Sequence, residues 1–292
     1  MAFMLTAGQN SCYHTAKLTR DNMNEDYIVT IYYVIDEMLT AVEYQDDGRS
    51  RVSAAEVLTV AIVAARYFHN HWERALCILI QRGDITPISV SRFNRRLHSL
   101  YDWLYGIVVS LGELFAGGTV YIIDSMPLPV CKRVRASRCR KVRGKAYCGY
   151  CSAKKEKFFG WRLHLICTPA GIPVAFDLLP AAHQDLTPIH ELTFILPNGA
   201  RLLGDKGYIS APDAASIFDS LNVRLVTARR KNMSPNTWAD DYDLRLYRKH
   251  IETLYSQMER MGTQHLYSRT NSGFALKAFA SVFALAFTNI LN

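Results

Sequence analysis

The stretch Gly118-Thr-Val-Tyr-Ile-Ile-Asp124 decides the fold of this chain. Before it, apolar residues recur at helical spacing over a long region. The stretch itself is a short run rich in β-branched residues, which is typical of a buried strand. The pair Gly117-Gly118 stands where the period changes. The sequence therefore predicts a boundary here, with a helical domain over residues 1–116 and a sheet-containing domain over residues 117–292.

The region before this boundary carries apolar residues at helical spacing in three segments. The first covers residues 21–40, and the second covers residues 57–80 with a break expected near residues 69–71. Ser53 stands three residues before Glu56, an arrangement that predicts a capping box at the start of the second segment. Ser89 or Ser91 can cap a third helix. An all-α amino-terminal domain is therefore expected.

After the boundary, segments with the apolar spacing of a strand alternate with segments that have the apolar spacing of a helix. Strands are predicted at residues 158–167, 172–179, 201–204 and 224–227, and helices at residues 185–195, 211–220, 242–260 and 273–290. Two strands joined by a turn at residues 171–173, followed by alternating helices and strands, favour a mixed α/β sheet with helices packed on it.

Composition excludes several classes of protein. The chain has 292 residues, of which 49% are hydrophobic and 21% charged, so it is neither fibrous nor low in complexity. The apolar stretch at residues 274–291 is interrupted by Lys277 and is predicted to be a buried helix, with no membrane partner. Seven cysteines and no secretory pattern in residues 1–17 indicate a reducing compartment. We expect a cytoplasmic protein.

Positive charge is concentrated in one segment. The net charge is +8, yet residues 131–162 hold twelve basic residues and one acid. The twelve are Lys132, Arg133, Arg135, Arg138, Arg140, Lys141, Arg143, Lys145, Lys154, Lys155, Lys157 and Arg162. Aromatic residues stand between them, so the segment could neutralise phosphates and stack on bases. Nucleic acid is the expected partner, and a solvated surface loop is the alternative.

Three acids form a candidate metal site. Asp124 and Asp205 each follow an apolar strand, and Glu252 lies on a predicted helix. Carboxylates that meet at one point repel one another unless cations neutralise them, and Mg²⁺ prefers such oxygen ligands. A pair of ions so held can promote displacement at phosphorus. Taken singly, each aspartate is more often a turn or cap residue, and Glu252 an exposed helix carboxylate.

Five segments of the sequence resemble a known family. They are Tyr121-Ile-Ile-Asp-Ser-Met-Pro-Leu-Pro-Val-Cys131, Phe159-Gly-Trp-Arg-Leu-His-Leu165, Leu179-Pro-Ala-Ala-His-Gln-Asp185, Leu203-Gly-Asp-Lys-Gly-Tyr208 and Arg248-Lys-His-Ile-Glu-Thr-Leu-Tyr-Ser-Gln-Met-Glu259. They are similar to segments of the DDE transposases of bacterial insertion sequences, whose catalytic domain has a ribonuclease H-like fold. The chain departs from a frequent signature of that family at Arg245, where Tyr is expected, and at Glu259, where Lys is expected.

The resemblance implies a fold, an activity and a set of ligands. It implies a ribonuclease H-like mixed sheet flanked by helices, in which Asp124, Asp205 and Glu252 bind two Mg²⁺ ions, with Mn²⁺ as a substitute. The implied reaction is hydrolysis at the element ends, then attack of the 3′ hydroxyl on target DNA. The implied partners are double-stranded DNA, as terminal inverted repeats and target, and a second copy of the chain in a synaptic homodimer. The implied location is the bacterial cytoplasm, associated with the nucleoid.

Two other functions remain open from the sequence. A ribonuclease H-like nuclease would cut DNA without joining it. A catalytically inactive DNA-binding repressor derived from a transposase would need none of the three acids.

Further residues are candidates for DNA contact. Arg248 and Lys206 would lie near the scissile phosphate, and Arg229, Arg230 and Lys231 beside the flanking backbone. For the last three, exposed surface charge is the equal alternative. In the basic segment the candidates are Arg135, Arg138, Arg140, Lys141, Arg143, Lys154 and Lys155. In the amino-terminal domain, the segment from Ser91 to Leu97 resembles the entry of a recognition helix in a helix-turn-helix, with Arg92, Arg95 and Arg96 available to DNA. The alternative for that domain is a bundle that only supports or dimerises the catalytic domain.

Three weaker signals carry alternatives. Cys131, Cys139, Cys148 and Cys151 could bind zinc, although free thiols are the default. His183 and Asp185 could approach the metal site, although a structural turn with an Asp cap is favoured. Trp238 could stack on a displaced base, although covering the core is the commoner role.

Overall fold

The computed structural model describes residues 23–151 and 154–291, and for Arg248 it describes the backbone alone. The amino-terminal segment on which the expected lack of an export signal rests lies outside the described residues. The chain divides into two compact units, one ending at Tyr101 and the other beginning at Asp102.

The first unit is helical, as predicted. Its helices are α1 (Glu25–Ala41), α2 (Ala54–Phe68), α3 (Trp72–Arg82) and α4 (Val90–Ser99). The predicted capping box at the start of α2 is present, because Ser53 accepts from the Glu56 backbone and Glu56 accepts from the Ser53 backbone. The second apolar segment breaks where expected, with His69 and Asn70 both at positive φ. Ser89, one of the two candidates, caps α4.

The second unit begins inside a helix, earlier than the boundary predicted at residue 116. Helix α5 (Tyr101–Leu114) lies almost wholly within it. The reason is close packing on the sheet, since a Cβ at Gly112 would overlap the backbone carbonyl of Val174. The Tyr105 ring also lies 5.4 Å from that of Phe176. Helical spacing predicted one continuous third helix here, but the chain forms two helices that meet at Leu100, and the spacing gave no sign of the surface on which α5 packs.

A six-stranded mixed sheet forms the centre of the second unit. Its strands are β1 (Val120–Lys132), β2 (Cys148–Cys151), β3 (Glu156–Cys167), β4 (Pro173–Pro180), β5 (Arg201–Gly204) and β6 (Arg224–Thr227), in the order β2-β3-β1-β5-β6 with β4 also paired to β3. β3 is antiparallel to β1, β2 and β4, whereas β5 is parallel to β1 and β6. The predicted mixed α/β class is confirmed. Strand β2 was not predicted, because its four residues carry no clear alternation.

Strand β1 corrects one expectation. The strand predicted to end at Asp124 continues to Lys132. Its parallel pairing with β5 stops at Ile123 and Gly204, while its antiparallel pairing with β3 runs on from Asp124 and Leu165. Beyond Asp124 the strand loses β5 as a neighbour, and the Pro127 carbonyl accepts from Gln264 Nε2 at 3.0 Å instead.

Helices flank the sheet. They are α6 (Ile189–Thr193), α7 (Ala211–Leu221), α8 (Trp238–Arg260) and α9 (Asn271–Ile290). The helix predicted at residues 185–195 is shorter than expected, because turns occupy the residues before Pro188. One core cluster joins the sheet to α6 and α7 and includes Tyr121, Ile123, Ile166, Val174, Ile189, Leu192, Leu202, Tyr208 and Ile217.

Helix α9 is the buried helix that the sequence predicted. Within the described part of the chain it is long and apolar enough to span a membrane, but 89% of its most apolar window is buried inside the protein. Lys277 interrupts the apolar run, and its Nζ donates a hydrogen bond to the Tyr267 carbonyl at 2.7 Å. Burial, with Lys141 nearby, lowers the pKa of Lys277 to about 8.

Candidate active site

The three predicted acids line one cavity. A cavity of about 570 Å³ opens where β1, β5 and α8 meet, and Asp124, Asp205 and Glu252 all contribute to its wall. Asp124 and Asp205 directly follow the last residue pair of the parallel β1–β5 ladder. Parallel neighbours end at the same edge of a sheet, so the two aspartates emerge side by side. The arrangement brings together residues that are far apart in the chain.

Local structure holds each acid in place. Asp205 caps the 3₁₀ turn Lys206–Tyr208, and its Oδ1 accepts the Gly207 N–H at 2.6 Å. Asp124 Oδ1 accepts the N–H of Ser125 at 2.7 Å. Glu252 lies on α8 between buried Ile251 and Leu254, which anchor the helix to the unit. Glu252 itself is exposed to the cavity.

Cations share this cavity with the acids. Lys206, Arg229 and Arg230, all predicted DNA contacts, line it. Arg245 also lines it, although the sequence marked this position only as a departure from the family signature. Lys231 is exposed next to Arg230, outside the cavity wall. Arg248 lies on α8 one turn before Glu252, and its side chain is not among those described. Acidic side chains that could bind a cation and basic side chains that could bind a phosphate therefore line the same cavity.

A fourth acid, Asp185, lies close to Asp205, in agreement with the less favoured of its two sequence interpretations. Asp185 was expected to cap a turn, but the following helix is capped at Pro188 and Asp185 makes tertiary contacts instead. Ser125 Oγ donates to Asp185 Oδ1 at 2.6 Å, and Arg162 pairs with the same oxygen at 3.3 Å. The available sequence signal was its place soon after β4, which runs parallel to β1. Ser125 and Arg162 had no such signal, because only the β1–β3 register brings them together.

Two buried tyrosines, Tyr208 and Tyr255, lie near the aspartates of the cavity. Neither the Tyr208 hydroxyl nor the Tyr255 hydroxyl has a hydrogen-bond partner among the described residues. Burial raises the pKa of Tyr208 well above its usual value, and the carboxylates of Asp124, Asp185 and Asp205 raise it further. Burial likewise raises the pKa of Tyr255, with Asp124 the next contributor. Both hydroxyls are therefore neutral and lie in a field of negative charge.

The donor set fits a hard divalent cation. Asp124, Asp205 and Glu252, on three separate segments, line one cavity, and carboxylate oxygens are the ligands that hard divalent cations prefer. Over residues 23–151 and 154–291, no three His, Cys, Asp or Glu side chains are already close enough to share an ion. The acids would have to turn toward one another, for which exposed Asp205 and Glu252 have room.

The basic segment forms a second cavity. Arg135, Arg138, Arg140 and Lys141 line a space of about 620 Å³ together with Arg269. Arg143 and Lys155 are exposed elsewhere on the segment. Lys154 is bound at 2.8 Å to Glu259, the acid that replaces the lysine of the family signature. Most of the predicted cations therefore face solvent, as a polyanion site requires.

The four candidate zinc cysteines are not brought together. Cys131 and Cys139 line the second cavity, whereas Cys148 and Cys151 lie at the two ends of β2. All four are free thiols, and no metal-binding group of three or more such ligands occurs among the described residues. The zinc alternative gains no support.

The helical unit separates its three candidate arginines. Arg92 and Arg95 are exposed on α4, but Arg96 forms an ion pair with Asp46. Asp46 also accepts the N–H of Ala54 at the start of α2, so Arg96 stabilises this unit. The recognition-helix prediction for α4 therefore depends on Arg92 and Arg95.

Trp238 does not cover the core. It stands at the start of α8 with 81% of its surface exposed, and it stacks on Tyr242 with 5.5 Å between ring centroids. The commoner role expected for such a tryptophan is therefore wrong here, and the base-stacking alternative remains.

Comparison with known proteins identifies the family. Residues 116–271 match the family described as "Transposase DDE domain". This match spans more than half of the 292 residues, so the chain belongs to the DDE transposase family. The resemblance noted in the sequence is thereby confirmed.

Two other comparisons add little. The search of curated proteins found no match. Among solved structures, the chain is similar to "Mos1 transposase paired-end complex with left transposon end" at 11% identity and a TM-score of 0.25, over 88% of this chain and 78% of that one. A TM-score of 0.25 does not establish a shared fold, so the family assignment rests on the match over residues 116–271.

Proposed function

We propose that this chain is the transposase of a bacterial insertion sequence, which cuts DNA at the ends of the element and joins the freed 3′ hydroxyl to target DNA. The single observation that carries the proposal is the convergence of Asp124, Asp205 and Glu252 on one cavity that Lys206 and Arg230 also line. A metal site beside phosphate-binding cations is what phosphodiester chemistry needs.

In this proposal Asp124, Asp205 and Glu252 hold two Mg²⁺ ions, for which Mn²⁺ can substitute. When bound, such ions activate an attacking oxygen and stabilise a leaving one during in-line displacement. Lys206, Arg229 and Arg230 bind the phosphates on either side of the scissile bond. Water and a 3′ hydroxyl can occupy the same place in this site, so one site can perform both steps.

The other proposed contacts follow the distribution of charge. The cavity of Arg135, Arg138, Arg140, Lys141 and Arg269 binds the backbone of double-stranded DNA at the terminal inverted repeats. Exposed Arg92 and Arg95 on α4 recognise the same ends. Synapsis of two ends calls for a homodimer, and the protein acts in the cytoplasm on nucleoid DNA.

The test is a strand-transfer assay with labelled element ends, plasmid target and Mg²⁺ or Mn²⁺. Asp124→Asn, Asp205→Asn and Glu252→Gln should each abolish both cleavage and joining. Asp219→Asn is the matched control, because Asp219 is an exposed acid on α7, outside the cavity wall. Each variant should keep the DNA affinity of the unaltered protein at low metal concentration.

The two alternative functions give different results in the same assay. Metal-dependent cleavage with no joined product would indicate a nuclease. Tight binding of the ends with no cleavage, and no effect of the three substitutions on any phenotype in cells, would indicate a repressor. Either result would overturn the proposal.

A further inference from the structure

The residues around Asp185 connect the two acid-bearing strands. Arg162 on β3 donates to Asp185 Oδ1 at 3.3 Å and to Ser125 Oγ at 3.1 Å, and Ser125 Oγ donates to Asp185 at 2.6 Å. The three side chains thus form a closed triangle of hydrogen bonds. Arg162 and Asp185 have side chains only 17% and 28% exposed, so little water competes for these bonds.

One corner of this triangle fixes the Asp124 segment. Ser125 is the next residue along β1, and its N–H donates to the Asp124 carboxylate at 2.7 Å. The Ser125 side chain is bound to Asp185 and its main chain to Asp124, so both groups are held by one residue. A shift of Asp185 would move the peptide that orients Asp124.

The second carboxylate oxygen of Asp185 lies close to the Asp205 segment. A Cβ at Gly207 would lie 2.7 Å from Asp185 Oδ2 and 2.9 Å from Asp205 Oδ1, so both carboxylates lie next to this glycine. The Gly207 N–H donates to Asp205 at 2.6 Å. Asp185 therefore lies close to the turn after β5 as well as to β1.

Arg162 anchors the assembly to the rest of the sheet. Its second guanidinium nitrogen donates to the Tyr150 carbonyl on β2 at 3.2 Å, so the guanidinium joins three strands. Arg162 was expected to be part of the basic surface, yet its charge is used inside the protein.

We propose that Asp185 and Arg162 are a positioning pair, which holds the segments carrying Asp124 and Asp205 in place so that the two carboxylates can turn onto one divalent ion. This inference rests on the proposed function. Partners that orient metal ligands typically change metal affinity by about 10–100-fold when they are removed. Asp185→Ala should therefore weaken metal binding by about tenfold or more.

The experiment measures Mn²⁺ binding to the full chain by calorimetry, with no DNA present, alongside thermal unfolding without metal. Asp185→Ala should lower the unfolding temperature, because Arg162 loses its carboxylate partner, and it should still bind Mn²⁺ more weakly at temperatures where the variant is fully folded. Asp185→Asn keeps an acceptor for Ser125 and should recover part of the affinity. Asp219→Ala, an exposed acid on α7, should change nothing.

A double-mutant cycle tests the route of the effect. Ser125→Ala alone should weaken Mn²⁺ binding, but it should have little further effect in the Asp185→Ala background, because both residues act through one hydrogen bond. Fully additive losses would overturn the inference.

The inference and the proposed function can fail separately. If Asp205→Asn loses Mn²⁺ binding while folded Asp185→Ala binds as tightly as the unaltered protein, only the positioning role is refuted. If Asp205→Asn binds Mn²⁺ normally, the metal centre itself is misassigned and both fail.

Discussion

The substitution Gly207→Ala tests the site most directly, because the glycine separates two carboxylates that both approach it. The new Cβ would lie 2.7 Å from Asp185 Oδ2 and 2.9 Å from Asp205 Oδ1, whereas ordinary contacts begin at 3.4 Å. Each carboxylate must therefore move by roughly half an ångström. Because a displacement of about 1 Å can reduce a rate about 100-fold, we expect roughly tenfold slower cleavage and joining.

Stability should hardly change in this variant. Gly207 and Asp205 are exposed, so the Asp205 carboxylate can turn into solvent, and surface substitutions usually change the free energy of unfolding by less than about 0.5 kcal/mol. The assay compares single-turnover cleavage rates with thermal unfolding. Gly117→Ala is the matched control, because no atom lies within 4 Å of its Cβ position. A Gly207→Ala protein as active as the control would refute the assignment of this cavity as the catalytic site.

Three further predictions concern packing, titration and DNA. Gly112→Ala should destabilise the second unit by about 1–3 kcal/mol in urea unfolding, because its Cβ meets the Val174 backbone, and an unchanged midpoint would contradict the packing described for α5. Burial lowers the pKa of His164 to about 4, below the ordinary value of 6.5, so the unfolded chain takes up a proton first as the pH falls through this window. Between about pH 7 and pH 5 the free energy of unfolding should fall by roughly 2 kcal/mol in the unaltered protein and stay constant in His164→Leu. If the free energy of unfolding changes with pH in the same way in both proteins, His164 does not contribute. Trp238→Ala should weaken the binding of cleaved, partly single-stranded ends by about 1–3 kcal/mol with no change in unfolding, whereas equal affinities would leave the Trp238–Tyr242 stack without a base-binding role.

Much of the local structure could be predicted from the sequence. The capping box at Ser53, the strand that leads into Asp124 and the buried helix containing Lys277 all occur where the pattern of apolar and polar residues places them. Such patterns are readable because a helix or strand buries residues that are near neighbours in the chain. The same logic predicted that Asp124 and Asp205 would each follow an apolar strand, whereas only the structure shows that the two strands are neighbours.

The tertiary structure alone decided how distant segments meet. The register of β1 against β3 and the return of the chain after β4 bring Ser125, Arg162 and Asp185 into one triangle. The packing of α8 places Glu252 on the cavity, and an ion pair with Asp46 uses the charge of Arg96. Local periodicity contains no information on these contacts, because they depend on strand order and on which surfaces exclude water together. The sequence by itself determined the elements and the candidate acids, while three-dimensional packing determined which residues share a site.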